Sequence, residues 1–148
     1  MSDVGPDPFD LDRFLHAQAA GGSYRRAVAE LQAGRKISHW MWFVFPQYAG
    51  LGRSDIAQLY AITSLAEAQA YARHQVLGAR LDECSRALTD LVSTDAELVM
   101  GEIDALKLRS SMTLFDFAWP DEPVFAQVLE QFFNGQRDER TERLIALG

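Results

Sequence analysis

Residues 37–47 read Ile37-Ser38-His39-Trp40-Met41-Trp42-Phe43-Val44-Phe45-Pro46-Gln47 and continue into Tyr48-Ala49-Gly50-Leu51-Gly52-Arg53-Ser54. Trp40 to Phe45 is the longest unbroken apolar run in the chain and holds two of its three tryptophans. Periodicity cannot assign such a run, because a buried strand and a buried helix look alike over six residues. The flanks favour a helix. The segments on either side have helical spacing, Ser38 is placed to cap a short helix over 39–44, and Pro46 disfavours helical geometry at Phe45. The reading is a hydrophobic helix of under two turns, with a strand as the alternative. In both cases the run is expected to be a buried post whose polar ends form a site.

Working outward, apolar spacing predicts helices almost everywhere. One starts near Phe9, with Asp10 or Asp12 at its N-terminus, and Gly21-Gly22 stops it. Ser23 is placed to cap a second, whose inner face is Tyr24, Ala27, Val28 and Leu31 and which ends at Gly34. Ser54-Asp55 opens a short helix through Tyr60, and the capping boxes at 64–67 and 94–97 open two more. Leu77, Leu81, Cys84, Leu88 and Leu91 form the stripe of a longer helix, and a further one covers at least the first part of 102–115. After Pro120-Asp121-Glu122-Pro123 a helix runs to Asn134-Gly135, and Asp138 starts the last. Strand-type alternation is almost absent. The expected fold is all-α: residues 1–8 as a disordered lead-in, then one compact domain over 9–148 of about seven to nine short helices, not an up-down bundle.

With 148 residues and 48% hydrophobic content, the chain can bury a core without staples. The lone Cys84 cannot form an intramolecular disulfide and fits a reducing cytoplasm. No apolar stretch is long enough to span a bilayer, and the acidic, Pro-containing start does not resemble a signal peptide. A net charge of −7 excludes general nucleic-acid binding. Between Tyr24 and Arg53, however, five cations face one anion, Glu30, so a small anion has a favourable patch.

No strong catalytic, metal or nucleotide motif is present, and the three histidines stand alone, so neither a metal nor a cofactor is expected. The candidate anion site is Gly50-Leu51-Gly52-Arg53-Ser54, where glycines let backbone N–H groups approach a phosphate; the alternative is a turn accommodating positive φ. Lys36 and Gln47 flank the post. Trp40 and Trp42 offer stacking surfaces, although a helix separates the rings by about 200°, so at most one reaches a ligand. His39 is a candidate general acid or base, or else a donor to a buried carbonyl. Asp104 is the second proton-handling candidate. In Lys107-Leu108-Arg109-Ser110-Ser111, helical spacing puts Lys107 near Ser110 and Ser111, a grouping that can bind phosphate. Interleaved with apolar residues, His39, Gln47, Lys107, Ser110 and Ser111 need polar partners, and one shared cleft would supply them.

The blocks at 39–47 and 50–54, with Tyr60-Ala61-Ile62, Leu77-Gly78-Ala79-Arg80-Leu81 and 107–115, resemble a bacterial family of unknown function over about residues 9–147. The tyrosine and histidine-proline that often precede its Leu-Gly block stand here as Ala72 and His74-Gln75. The resemblance implies a small all-α domain and no established activity. A calpastatin-like label sometimes given to that family implies a protease inhibitor, but such inhibitors are extended and disordered, the reverse of this aromatic-rich chain. The placing of short helices around Trp, Lys and Asp is similar in style to small helical glycosidases acting on ADP-ribose-type or riboflavin-pathway nucleotides; no catalytic residue carries over.

The expected function is a cleft for a small nucleotide-like or sugar-phosphate anion, with hydrolase or N-glycosidase chemistry through His39 or Asp104. The alternative is a non-catalytic module that binds a small ligand or a protein segment. The sequence leaves the oligomeric state open.

Overall fold

The computed structural model describes residues 6–148, so the expected lead-in lies, for residues 1–5, outside the described residues. All regular structure among the described residues is helical. The helices are α1 Asp12–Ala19, α2 Ser23–Ala33, α3 Met41–Val44, α4 Asp55–Leu59, α5 Leu65–Arg73, α6 Leu77–Thr89, α7 Ala96–Met100, α8 Glu102–Ala118, α9 Val124–Phe133 and α10 Glu139–Leu147. Three of these ten, α3, α4 and α7, have five residues or fewer, so the all-α domain of short helices is as expected. One isolated parallel bridge, Tyr48 to Ile62, ties the loop after α3 to the loop after α4.

Helix α8 is the axis of the molecule. It packs against α5, α7, α9 and α10, while α6 packs against α2, α5 and α9. Ser110 sits within α8 with its hydroxyl 3.2 Å from the Leu106 carbonyl and 3.3 Å from Asp138, its single proton shared between these two acceptors. The 40–45 run enters this core as predicted: Trp40, Met41, Phe43, Val44 and Phe45 are buried, and Trp42 is half-buried. Phe43 stacks edge-on to Tyr60, 5.6 Å between ring centroids, and its carbonyl accepts from the Gln18 amide. The strand alternative fails because the post bonds within itself, Val44 N–H to the Trp40 carbonyl and Phe45 N–H to the Met41 carbonyl, as a helical turn does.

Local capping differs from expectation at several ends. Ser38 does not cap α3; the helix starts at Met41 with Trp40 at the N-cap, because the Ser38 hydroxyl is committed to Glu30. Ser23 is the first residue of α2 rather than its cap, since Gly22 takes that position in the left-handed region at φ 70°. Asp7 accepts from the N–H groups of Leu11 and Asp12 and so caps α1 from before Phe9. Ser54, Ser64 and Asp138 cap α4, α5 and α10 with side-chain oxygens as expected, whereas Asp95 rather than Thr94 caps α7.

Burial pushes the Cys84 thiol up to about 12, so it stays protonated and acts as apolar filler. No helix among the described residues is long and apolar enough to cross a membrane.

Because Phe43 is buried in the core against Tyr60, Phe43→Ala should lower unfolding free energy by about 3–5 kcal/mol. Urea denaturation followed by circular dichroism would check this; a loss under about 1 kcal/mol would mean that the post is not core.

Candidate functional site

The loop that delivers the post is held by one buried carboxylate. Glu30, in the last turn of α2, accepts from the N–H groups of Ile37 and Ser38 at 2.8 and 2.9 Å, from the Ser38 hydroxyl at 2.7 Å and from the Trp40 indole at 2.9 Å. Burial alone would raise its pKa, but these four donors outweigh that and hold the carboxyl at about 2. Trp40 is therefore 1% exposed with its indole N–H committed, which makes it a core residue and not a stacking surface.

Lys36 is also interior. Its side chain is 6% exposed, its ammonium pairs with Asp104 at 2.9 Å and donates to the Ser38 carbonyl, and it lies 4.9 Å from the Trp40 ring centroid. These contacts compensate a buried charge and leave none of it for a ligand. Asp104 is shared, because Lys107 stands 3.8 Å from its other oxygen. With 24% of its side chain exposed and its ammonium 5.3 Å from the Trp42 ring centroid, Lys107 is held in place yet open to solvent.

Lys107 opens onto a surface groove of about 340 Å³ that Gln47, Leu51, Gly52, Ser110 and Arg140 also line. The two unusual sequence blocks thus meet on one groove. Among the described residues, the Gln47 side-chain amide has no protein partner. Arg140 makes one long hydrogen bond, 3.4 Å to the Gly50 carbonyl. Asp138 also lines the groove, but one of its oxygens is engaged by the Ser110 hydroxyl, the Thr141 N–H and the Thr141 hydroxyl. The groove therefore offers donors from Gln47, Lys107 and Arg140, while one oxygen of its single carboxylate is held by Thr141 and Ser110.

Other expected site residues lie elsewhere. His39 is exposed and outside the groove lining. Ser111 is fully buried, and its hydroxyl is the one buried side-chain polar atom among the described residues without a hydrogen-bond partner. Arg53 is exposed, and Ser54 uses its hydroxyl to cap α4, accepting from the Ala57 N–H. Gly50 needs its positive φ of 100°, and Gly52 its lack of a side chain: a Cβ there would stand 2.6 Å from the Ala57 Cβ. Both glycines thus have structural reasons, and the turn reading of 50–54 accounts for them.

Sequence reasoning missed Glu30 as the anchor and Arg140 as a groove cation. Glu30 carried one signal, being the single anion in a basic stretch. Arg140 carried none, because only the fold brings α10 beside the 50–52 turn. Larger hollows exist, one of about 440 Å³ beside Asp82 and Arg86 and one of about 580 Å³ beside Arg73 and Trp119, but neither gathers these residues.

The fold and groove describe a small multihelical domain without a metal cluster among its described residues. The chain belongs to the family described as protein of unknown function DUF1810, whose model matches residues 8–145. It is similar to the crystal structure of the conserved hypothetical protein Rv1873 from Mycobacterium tuberculosis, at 49% identity and a TM-score of 0.92, over 96% of this chain and 100% of that one. No curated protein matches the chain.

Glu30 ionises more readily in the folded state, so its stabilisation is complete above its ordinary pKa of 4.5 and is lost as pH falls towards 2. At pH 7, Glu30→Gln should lose on the order of 3 kcal/mol. The gap between variant and parent should close as pH falls from 4.5 to 2, measured by urea titrations at several pH values. A pH-independent gap would show that the carboxylate's charge is not what the loop depends on.

Proposed function

We propose that the groove between the 47–52 turn, α8 and the start of α10 binds a small organic anion. The observation that carries this is a set of loosely held donors around one concavity: Lys107 at 3.8 Å from Asp104, Arg140 at 3.4 Å from the Gly50 carbonyl, and the Gln47 amide. Two cations and one carboxylate leave the lining net positive in a chain of net −7, which favours an anion locally. Lys107 gives up little on turning to a ligand, because Asp104 keeps its closer partner, Lys36.

The geometry supports binding over hydrolysis or N-glycoside cleavage. Asp104 is engaged by Lys36 and Lys107 and does not line the groove, and His39 lies outside the lining, so neither candidate proton-handling group faces a ligand there. The nucleotide and sugar-phosphate classes stay in the test panel because they carry the required charge.

A thermal-shift screen with acetate, phosphate, ribose 5-phosphate and AMP tests the reading. A ligand at 100 times its dissociation constant adds about 2.7 kcal/mol, a rise of about 5–10 °C for a domain of this size. Lys107→Ala and Arg140→Ala should each lose most of that response, and His39→Ala should keep it. Full responses in both cation variants would move the binding site elsewhere.

A further inference from the structure

We infer that the groove's ligand is an aliphatic monocarboxylate with a chain of several carbons. This rests on the anion-binding reading above and names the class of anion. Three features of the lining carry it.

The first is charge. Lys107 and Arg140 stand against Asp138, so the lining is net positive by one, and Lys107 is additionally shared with Asp104. A monoanion satisfies that balance, whereas a phosphate dianion leaves negative charge uncompensated beside Asp138. A carboxylate's two oxygens also suit the two separate cations, with the Gln47 amide as a further donor.

The second is the apolar part of the wall. Leu51, Ile103 and Leu106 line the same groove, and Ile103 and Leu106 are 70% and 63% exposed on the helix that carries Lys107. They follow helical spacing, with Ile103 one turn before Leu106 and Lys107 and two turns before Ser110, so one face of α8 runs from apolar to cationic. A ligand with a charged head and an aliphatic body matches that order. A nucleobase does not, because no aromatic ring lines the groove and the nearby Trp42 ring is already covered by the Lys107 ammonium.

The third is size. A groove of about 340 Å³ has room for a carboxylate with an aliphatic chain of several carbons laid along its apolar wall.

The experiment titrates the full chain with acetate, butyrate, hexanoate and octanoate, with phosphate, AMP and octanol alongside. It follows the Gln47 side-chain amide and the Gly52 backbone amide by proton–nitrogen NMR. Affinity should rise about two- to fourfold per added methylene from acetate to octanoate, the gain expected from burying each methylene against the apolar wall. Leu106→Ser should flatten that series, Arg140→Ala should weaken every member by a similar factor, and octanol should not bind. If anions bind through Arg140 but affinity is flat with chain length, or AMP binds best, this inference fails while the anion site stands. If no anion perturbs Gln47 or Gly52, both fail. A chain-length series that persists unchanged in Leu106→Ser would place the aliphatic body outside this groove and overturn the assignment.

Discussion

The Glu30 carboxylate accepts four hydrogen bonds from the chain seven to ten residues downstream, and the rest of the structure depends on that closure. Trp40 must bury an indole whose N–H needs an acceptor, and the reversal after α2 leaves the Ile37 and Ser38 N–H groups pointing inward. One ionised side chain meets all of these needs, with charge-assisted bonds stronger than neutral ones. Lys36 then lies against the fixed Trp40 ring and reaches Asp104 on α8, so the loop is tied at both edges. Asp104 in turn sets Lys107 against Trp42 at the groove. A run of contacts thus leads from a buried carboxylate in α2 to an open cation on α8.

The same economy appears across the interior. Arg13 donates to the carbonyls of Phe9, Asp10, Leu59 and Ala61 and to Glu67, joining the chain start, the loop after α4 and α5. Gln18 donates to the Phe43 carbonyl and accepts from Arg80. These buried polar groups hold loops that have no regular backbone partners, which a domain built of short helices requires. They are spent on the fold and unavailable to a ligand.

Much of this architecture was legible because helix spacing and capping are local. Ser54, Ser64, Asp138 and Gly34 act where their residue types predict, since each needs only a neighbouring backbone group. Ser38 failed as a cap because a non-local acceptor, Glu30, competed for its hydroxyl. The meeting of Gln47 with Lys107 and Ser110 was legible from the burial problem of polar residues set among apolar ones. The separation of Lys36 from Lys107 was not. Both are lysines beside tryptophans, and only the packing shows that one is sealed at 6% exposure while the other opens at 24%.

That separation also explains why the proposed ligand site is the groove and not the more conspicuous tryptophan post. A binding site needs donors whose partners are absent or weakly held, since displacing a strong internal partner subtracts its free energy from binding. The post fails this condition: Trp40, Lys36 and Ser38 are bound to Glu30, Asp104 or one another at 2.6–2.9 Å. The groove meets it, because Lys107 is 3.8 Å from its carboxylate and Arg140 is 3.4 Å from its carbonyl. The residues that make the sequence unusual thus build the interior, and the loosely held donors at its edge are the ones the proposed site would use.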